Sequence, residues 1–366
     1  MSRRLALMFT VASLLLRCGS AAAAGPYGGG MSGGGSSPAA AAPGSLYSVT
    51  NLASTISGEG TLDPHLTNAW GLVAGPGTPW WTSNNRTSTS TLYTATGNIL
   101  PLVVSVPGAP TGIVFNGGSQ FVLHAGTSSA SAAFLFSTES GVISGWSMTV
   151  SPTQAITVAD RSGVGAIYKG LAIANDTLYA TDFHNARVDV FDGNFNLVTP
   201  TGAFVDKKIP RRFAPFGIQN INGTLFVTYA KTDKNKEDDA PGAGLGYVDA
   251  FDTSGTLIGR VATKGPLNAP WGLAMAPSDF GTASGHLLVG NFGNGKINAY
   301  QQKANGHWKL HGPLKGSNHK VIKIDGLWAL QFGTGGAAGP TNTLFFTAGP
   351  QDESQGAFGS IAPPAQ

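Results

Sequence analysis

The chain has 366 residues, of which only 11% are charged, with 52 glycines, 22 prolines and a net charge of +3. That length admits one large domain or two ordinary ones, and low charge with abundant glycine suits many short strands joined by tight turns. Lys and Arg are dispersed, with no basic stripe to neutralise a phosphate backbone, so nucleic acid is excluded as a partner.

Ser2-Arg3-Arg4, the apolar run Leu5 to Leu16 and the small residues Ala21 to Ala24 form the pattern of a signal peptide over residues 1–24. The run is shorter than the ~20 apolar residues a spanning helix needs. No later segment approaches that length, so a secreted protein without a membrane span is expected, extracellular or periplasmic. Cys18 is the sole cysteine and would be lost on cleavage. Leu15-Leu16-Arg17-Cys18 loosely resembles a lipobox, but Arg17 is not the small residue such motifs require, so lipid anchoring at Cys18 is a minor alternative. Residues 25–45 are almost entirely Gly, Ala, Ser and Pro and read as a flexible tether.

From Leu46 onwards one pattern recurs. Short apolar strands open at Trp70-Gly71-Leu72, Thr111-Gly112-Ile113, Lys169-Gly170-Leu171, Phe216-Gly217-Ile218, Trp271-Gly272-Leu273 and Trp328-Ala329-Leu330, at intervals of 41 to 58 residues. Each is followed by a second apolar strand, usually by a third ending near an aromatic (Arg187 to Asp192, Gly246 to Asp252, Lys296 to Tyr300), and commonly by a Gly-containing turn into a fourth. Four short antiparallel strands per repeat, six times over, predict an all-β, six-bladed β-propeller over 46–361. Glycine at the opening permits the close backbone approach that inner strands need around a channel. No amphipathic helical stretch of ten residues supports a stacked α/β solenoid. The sixth repeat supplies only three strands, so Leu46 to Leu52 should become its outer strand and close the ring, leaving 362–366 as a tail.

Asn68-Ala69-Trp70-Gly71-Leu72, Ala109 to Asn116, Ala180 to Asp192, Asn268 to Ala274 and Phe346-Thr347-Ala348-Gly349-Pro350 resemble a family of secreted, NHL-like propeller proteins known chiefly as conserved hypothetical proteins, some with a protein-sorting tail. The resemblance spans about residues 46 to 361 and implies a fold and an export route, with no activity to carry over. No sorting helix follows Ile361 in this sequence.

In a propeller, second-strand exits and first-strand entries share the face around the channel mouth. The exits align as Asn84, His124, Asp182, Tyr229, Asn291 and Ala348, five of them polar in otherwise apolar strands. They form a candidate ligand-binding ring. Asn84, Asp182 and Asn291 could also hold Ca²⁺, as in secreted six-bladed lactonases and esterases. The simpler reading is that these side chains cap hairpin turns through bonds to the backbone. Asp182 and His184 are the weak catalytic candidates, an imidazole oriented by a carboxylate, although a turn aspartate beside an exposed histidine is the plainer account. His65, His124 and His184 are the set that could serve zinc, with no spacing rule linking them. Asp63-Pro64-His65, Asp325 and Asp352-Glu353 should lie near the same mouth. The loop Lys231 to Asp239 should overhang it as a lid or partner contact, or be merely solvated. Tyr168, Lys169, Arg211 and Arg212 could add a cationic side. Gly-rich runs precede no strand–helix unit and are not phosphate loops. Three sequons (at Asn85, Asn175 and Asn222) matter only in a eukaryotic source.

The leading expectation is a monomeric binding module that takes a protein, glycan or small molecule at the mouth. A Ca²⁺- or Zn²⁺-dependent lactonase or esterase comes second, and a structural envelope or matrix protein third.

Overall fold

A computed structural model describes residues 46–364. The expected signal peptide over 1–24, Cys18 and the tether over 25–45 lie outside these residues. The chain folds as a six-bladed β-propeller. Blade one consists of Ala69–Val73, Trp80–Asn84, Thr89–Tyr93 and Ile99–Ser105, and blade two of Pro110–Phe115, Phe134–Thr138, Val142–Trp146 and Ile156–Asp160. Blade three has Tyr168–Ala174, Thr177–Asp182 and Arg187–Phe191, its fourth strand reduced to a bridge between Phe191 and Leu197. Blade four has Phe213–Ile221, Thr224–Lys231, Gly246–Phe251 and Leu257–Thr263; blade five has Pro270–Met275, Leu287–Asn291, Ile297–Gln302 and Trp308–Pro313. Blade six contributes Leu327–Phe332, Leu344–Ala348 and Ala357–Ala362.

The ring closes as expected. Ser48–Ser54 pairs antiparallel with Ala357–Ala362, placing Val49 opposite Ile361. Tyr47 anchors the entry by donating its hydroxyl to the Phe280 carbonyl at 2.7 Å. On the outer side of Ser48–Ser54, among the described residues, only Ala53 and Ser54 are paired, in parallel with Thr61–Leu62.

The opening glycines have a steric cause. A Cβ built on Gly71 would lie 2.5 Å from the Thr111 carbonyl oxygen of the next blade, and one on Gly272 would lie 2.5 Å from that of Trp328. Threonine hydroxyls lock the same seams: Thr111 donates to the Tyr168 carbonyl at 2.8 Å, Thr181 to Phe216 at 2.8 Å and Thr347 to Trp70 at 2.5 Å. Pairing between first and second strands slips at the opening of every blade, a bulge that turns the opening residue towards the channel mouth. Between blades sit apolar clusters such as Val73, Trp81 and Leu92 against Ile113, Phe134 and Trp146. The channel retains a cavity of only about 30 Å³, room for about one water. It is no conduit.

One expected strand was misplaced. Val122–Ala125, which carries His124, pairs with Ser128–Ser131 in a separate hairpin inserted between the first two strands of blade two. Phe121 and Leu123 are buried on its inner side, whereas His124 is exposed. Its inner apolar residues are satisfied by folding back over the blade, and the true second strand is Phe134–Thr138.

Candidate functional site

Strand register fixes the exit column. Ala69, Pro110, Tyr168, Pro215, Pro270 and Leu327 on the first strands face Asn84, Thr138, Asp182, Tyr229, Asn291 and Ala348 on the second. Thr138 therefore replaces His124; the other five positions stand as aligned.

These side chains are mostly spent inside their own blades. Asn84 donates to Thr91 at 2.8 Å and Thr89 at 3.2 Å and accepts from Thr82. Asp182, fully buried, accepts from the Asn185 side chain at 2.7 Å and from backbone N–H groups of Asn185 and Ile167, with Arg187 at 3.5 Å. Burial raises its pKa against those hydrogen bonds. Asn291 donates to the Pro266 carbonyl at 2.8 Å. Burial, then Asp249, pushes the Tyr229 phenol well up, and its hydroxyl has no partner.

The anticipated pairing of Asp182 with His184 is not formed, because Asn185 and Arg187 occupy the carboxylate and His184 Nδ1 has no hydrogen-bond partner. His65 lies 3.2 Å from Asp63, which also accepts from Tyr93 at 2.7 Å. His65, His124 and His184 belong to separate local environments. Among the described residues, no three His, Cys, Asp or Glu side chains come close enough together to hold a metal ion.

The mouth itself is built from the opening residues and the loops just beyond the exits. Trp70 stacks on Trp328 with ring centroids 3.7 Å apart, Phe292 on Trp328 at 4.0 Å, and Phe183, Phe216 and Trp271 close around them. Trp70, Phe183, Phe216 and Trp328 are buried, while Trp271 and Phe292 are partly exposed. This aromatic layer plugs the channel.

One cation interrupts it. Lys169, the opening residue of blade three, is 1% exposed and lies 5.1 Å from the centre of the Trp70 ring. Its ammonium donates to Glu139, just past the exit of blade two, and to Asp238 of the blade-four loop at 2.8 Å. Burial works against its charge, but Glu139 and Asp238 outweigh it and hold its pKa above the ordinary value.

Blades one and six complete the cluster. Asn85 donates to Glu139 at 2.8 Å, Asn68 donates to Glu353 at 2.8 Å, and Trp328 donates its indole N–H to Asn68 at 2.9 Å. Gln351, Asp352 and Glu353 all adopt left-handed backbone conformations, with φ of 55°, 52° and 62°. Three successive non-glycine residues in that region are costly.

The loop from Lys231 to Asp239 folds back on itself, with Thr232 bridged to Asp239, and reaches over the mouth through Asp238. Asp239 Oδ2 is sealed from solvent without a hydrogen-bond partner. Burial pushes the Asp239 pKa up to about 7, with Lys169 opposing and Asp238 and Glu353 reinforcing the rise. The Glu353 carboxyl is raised by burial, then by Glu139 and Asp238, against Lys169 and Arg86. Arg211 and Arg212 are exposed and, among the described residues, make no ion pair. The signal for this site was present in the sequence. Lys169 is the only charged residue in the opening column.

No family model matches the chain. It is 36% identical over 314 residues to "Uncharacterized protein R648" of Acanthamoeba polyphaga mimivirus, covering 82% of this chain and 76% of that protein. It is 34% identical over 318 residues to "Uncharacterized protein L690" of the same virus, covering 82% and 81%. Among solved structures, a structural-genomics protein of unknown function from Bacteroides thetaiotaomicron superposes with a TM-score of 0.57 at 9% identity, over 87% of this chain and 76% of that one. That likeness concerns the fold alone. At this identity and coverage, the chain belongs to the family of these two mimivirus proteins.

Proposed function

We propose that the protein is a binding module whose ligand face is the channel mouth. The observation that carries this reading is the cluster there of side chains from five blades, in which Glu139 and Asp238 pair with Lys169 and Asn85, Asn68 and Glu353 are hydrogen-bonded on behind them, with a loop laid across. A buried ion cluster is expensive to assemble and gains little stability over apolar packing, which favours a use in recognition. The partly exposed Trp271 and Phe292 supply the apolar area from which such faces draw affinity. The basic, apolar and small-residue segments of residues 2–24 support export to an extracellular or periplasmic setting.

The test is a screen of soluble glycans, peptides, amines and carboxylic acids on the propeller, repeated with Arg86→Ala and Asp238→Ala at the mouth and Trp308→Ala on the outer strand of blade five. Loss of the ligand in the mouth variants alone supports the reading. A ligand held equally by both mouth variants and lost in the Trp308 variant sinks it.

A further inference from the structure

The mouth reading says where a ligand sits, and the charges around Asp239 bear on what it is. Four carboxylates, Glu139, Asp238, Asp239 and Glu353, share the mouth with two cations, Lys169 and Arg86. Lys169 is already engaged by Glu139 and Asp238 over the Trp70 ring. Arg86 is half exposed, 4.0 Å from the Glu353 carboxylate, and donates its Nε–H to the Glu353 carbonyl instead.

Two polar groups beside this cluster have nothing to bond. Asp239 Oδ2, an acceptor, is sealed from solvent and unpartnered; the indole N–H of the buried Trp70 is unpartnered too but is a donor, so Asp239 alone calls for a positive charge. An acceptor in that state is destabilising, the more so when charged, and a cation is the chemistry that relieves it. A compact metal ion lacks a cage among the described residues. The partly exposed Trp271 and Phe292 instead offer aromatic surface, which attracts organic cations. Lys169 shows the arrangement already at work, an alkylammonium held between carboxylates over a tryptophan.

We propose that the mouth binds a small alkylammonium ligand, its charged nitrogen beside Asp239 and its carbon chain against the aromatic rim. This rests on the mouth reading above and narrows it. Near neutral pH the carboxyl retains part of its proton, so an arriving ammonium forms an ion pair with the carboxylate and that proton passes to the buffer.

The experiment is calorimetry of the propeller with cadaverine and with glutarate, five-carbon chains of opposite charge, at pH 7 in two buffers of different ionisation enthalpy. Cadaverine should bind, with an apparent enthalpy that differs between buffers as the released proton is taken up. Asp239→Asn should weaken it about tenfold or more, the worth of one charge-assisted hydrogen bond, and remove the buffer dependence. Glu353→Gln, which leaves Asp239 in place, should weaken cadaverine while keeping that dependence. Glutarate binding that is lost in Lys169→Met would overturn the ligand class while leaving the mouth as the binding face. Cadaverine binding unchanged in Asp239→Asn, Glu353→Gln and the Arg86 and Asp238 variants would overturn both.

Discussion

Asp239 carries the most quantitative expectation. Its pKa rises from 3.8 to about 7 on folding, because burial penalises the charged form. The folded protein therefore holds that proton more tightly than the unfolded chain does. The carboxyl contributes full stability below the unfolded value and progressively loses it as pH climbs through the folded one. About three pKa units at about 1.4 kcal/mol each set a ceiling near 4 kcal/mol. The side chain is only half-buried as a whole, so solvent screening brings a realistic figure to about 2 kcal/mol. With an unfolding entropy of about 2.1 cal/mol/K per residue over the propeller, that is about 3 °C in Tm. Asn keeps the shape and cannot ionise. Asp239→Asn should melt with the parent at pH 4 and exceed it by about 3 °C at pH 8. Differential scanning calorimetry at half-unit pH steps gives both curves, and other carboxyls cancel in their difference. A variant less stable than the parent at pH 8 would refute the reasoning, since it would mean that the folded protein keeps Asp239 ionised and well paired.

Three further expectations concern the scaffold. Gly217→Ala drives a methyl into the Trp271 carbonyl of the next blade; an overpacking cost of about 1–3 kcal/mol should appear as a lowered denaturant midpoint. Trp328→Ala removes the ring shared by Trp70, Trp271, Phe216 and Phe292 and should cost about 3–5 kcal/mol by chemical denaturation, while His124→Ala on its exposed hairpin stays within about 0.5 kcal/mol. Deleting Ser48–Ser54 bares the edge of Ala357–Ala362 and should promote aggregation, read as increased light scattering over the parent.

The contrast between His124 and Thr138 marks what sequence pattern can deliver. The opening glycines were legible because each answers a local demand, a carbonyl of the next blade at the distance a Cβ would occupy. Ring closure was legible because an orphan strand at the start matched a missing one at the end. The inserted hairpin was not, since Phe121-Val122-Leu123 is as apolar a run as Phe134-Leu135-Phe136. A short apolar run reports that side chains need cover; it does not report which neighbour provides it, and Phe134–Thr138 is buried throughout whereas only Phe121 and Leu123 of the other run are.

A similar limit governs the mouth. Asn84, Asp182 and Asn291 stood out as polar residues ending apolar strands, and most of their bonding capacity goes to hydroxyls, amides and backbone of their own blades. Their local prominence reflects a local task. The groups that meet across the channel lie one residue further on, in the opening column or in the neighbouring loops, and they differ between blades. Past the exits come Asn85 and Glu139 in blades one and two but Phe183 and Phe292 in blades three and five, so one repeat position serves as hydrogen-bonding rim on one side and aromatic plug on the other. Asn68 reaches Glu353 across 285 residues of sequence and Lys169 reaches Asp238 across 69. A repeat alignment averages over such differences, whereas a binding face in a ring depends on them: six equivalent positions would present a symmetric mouth. The one charged residue in the opening column, Lys169, is where that symmetry is broken, and Glu139, Asp238, Asp239 and Glu353 gather around it.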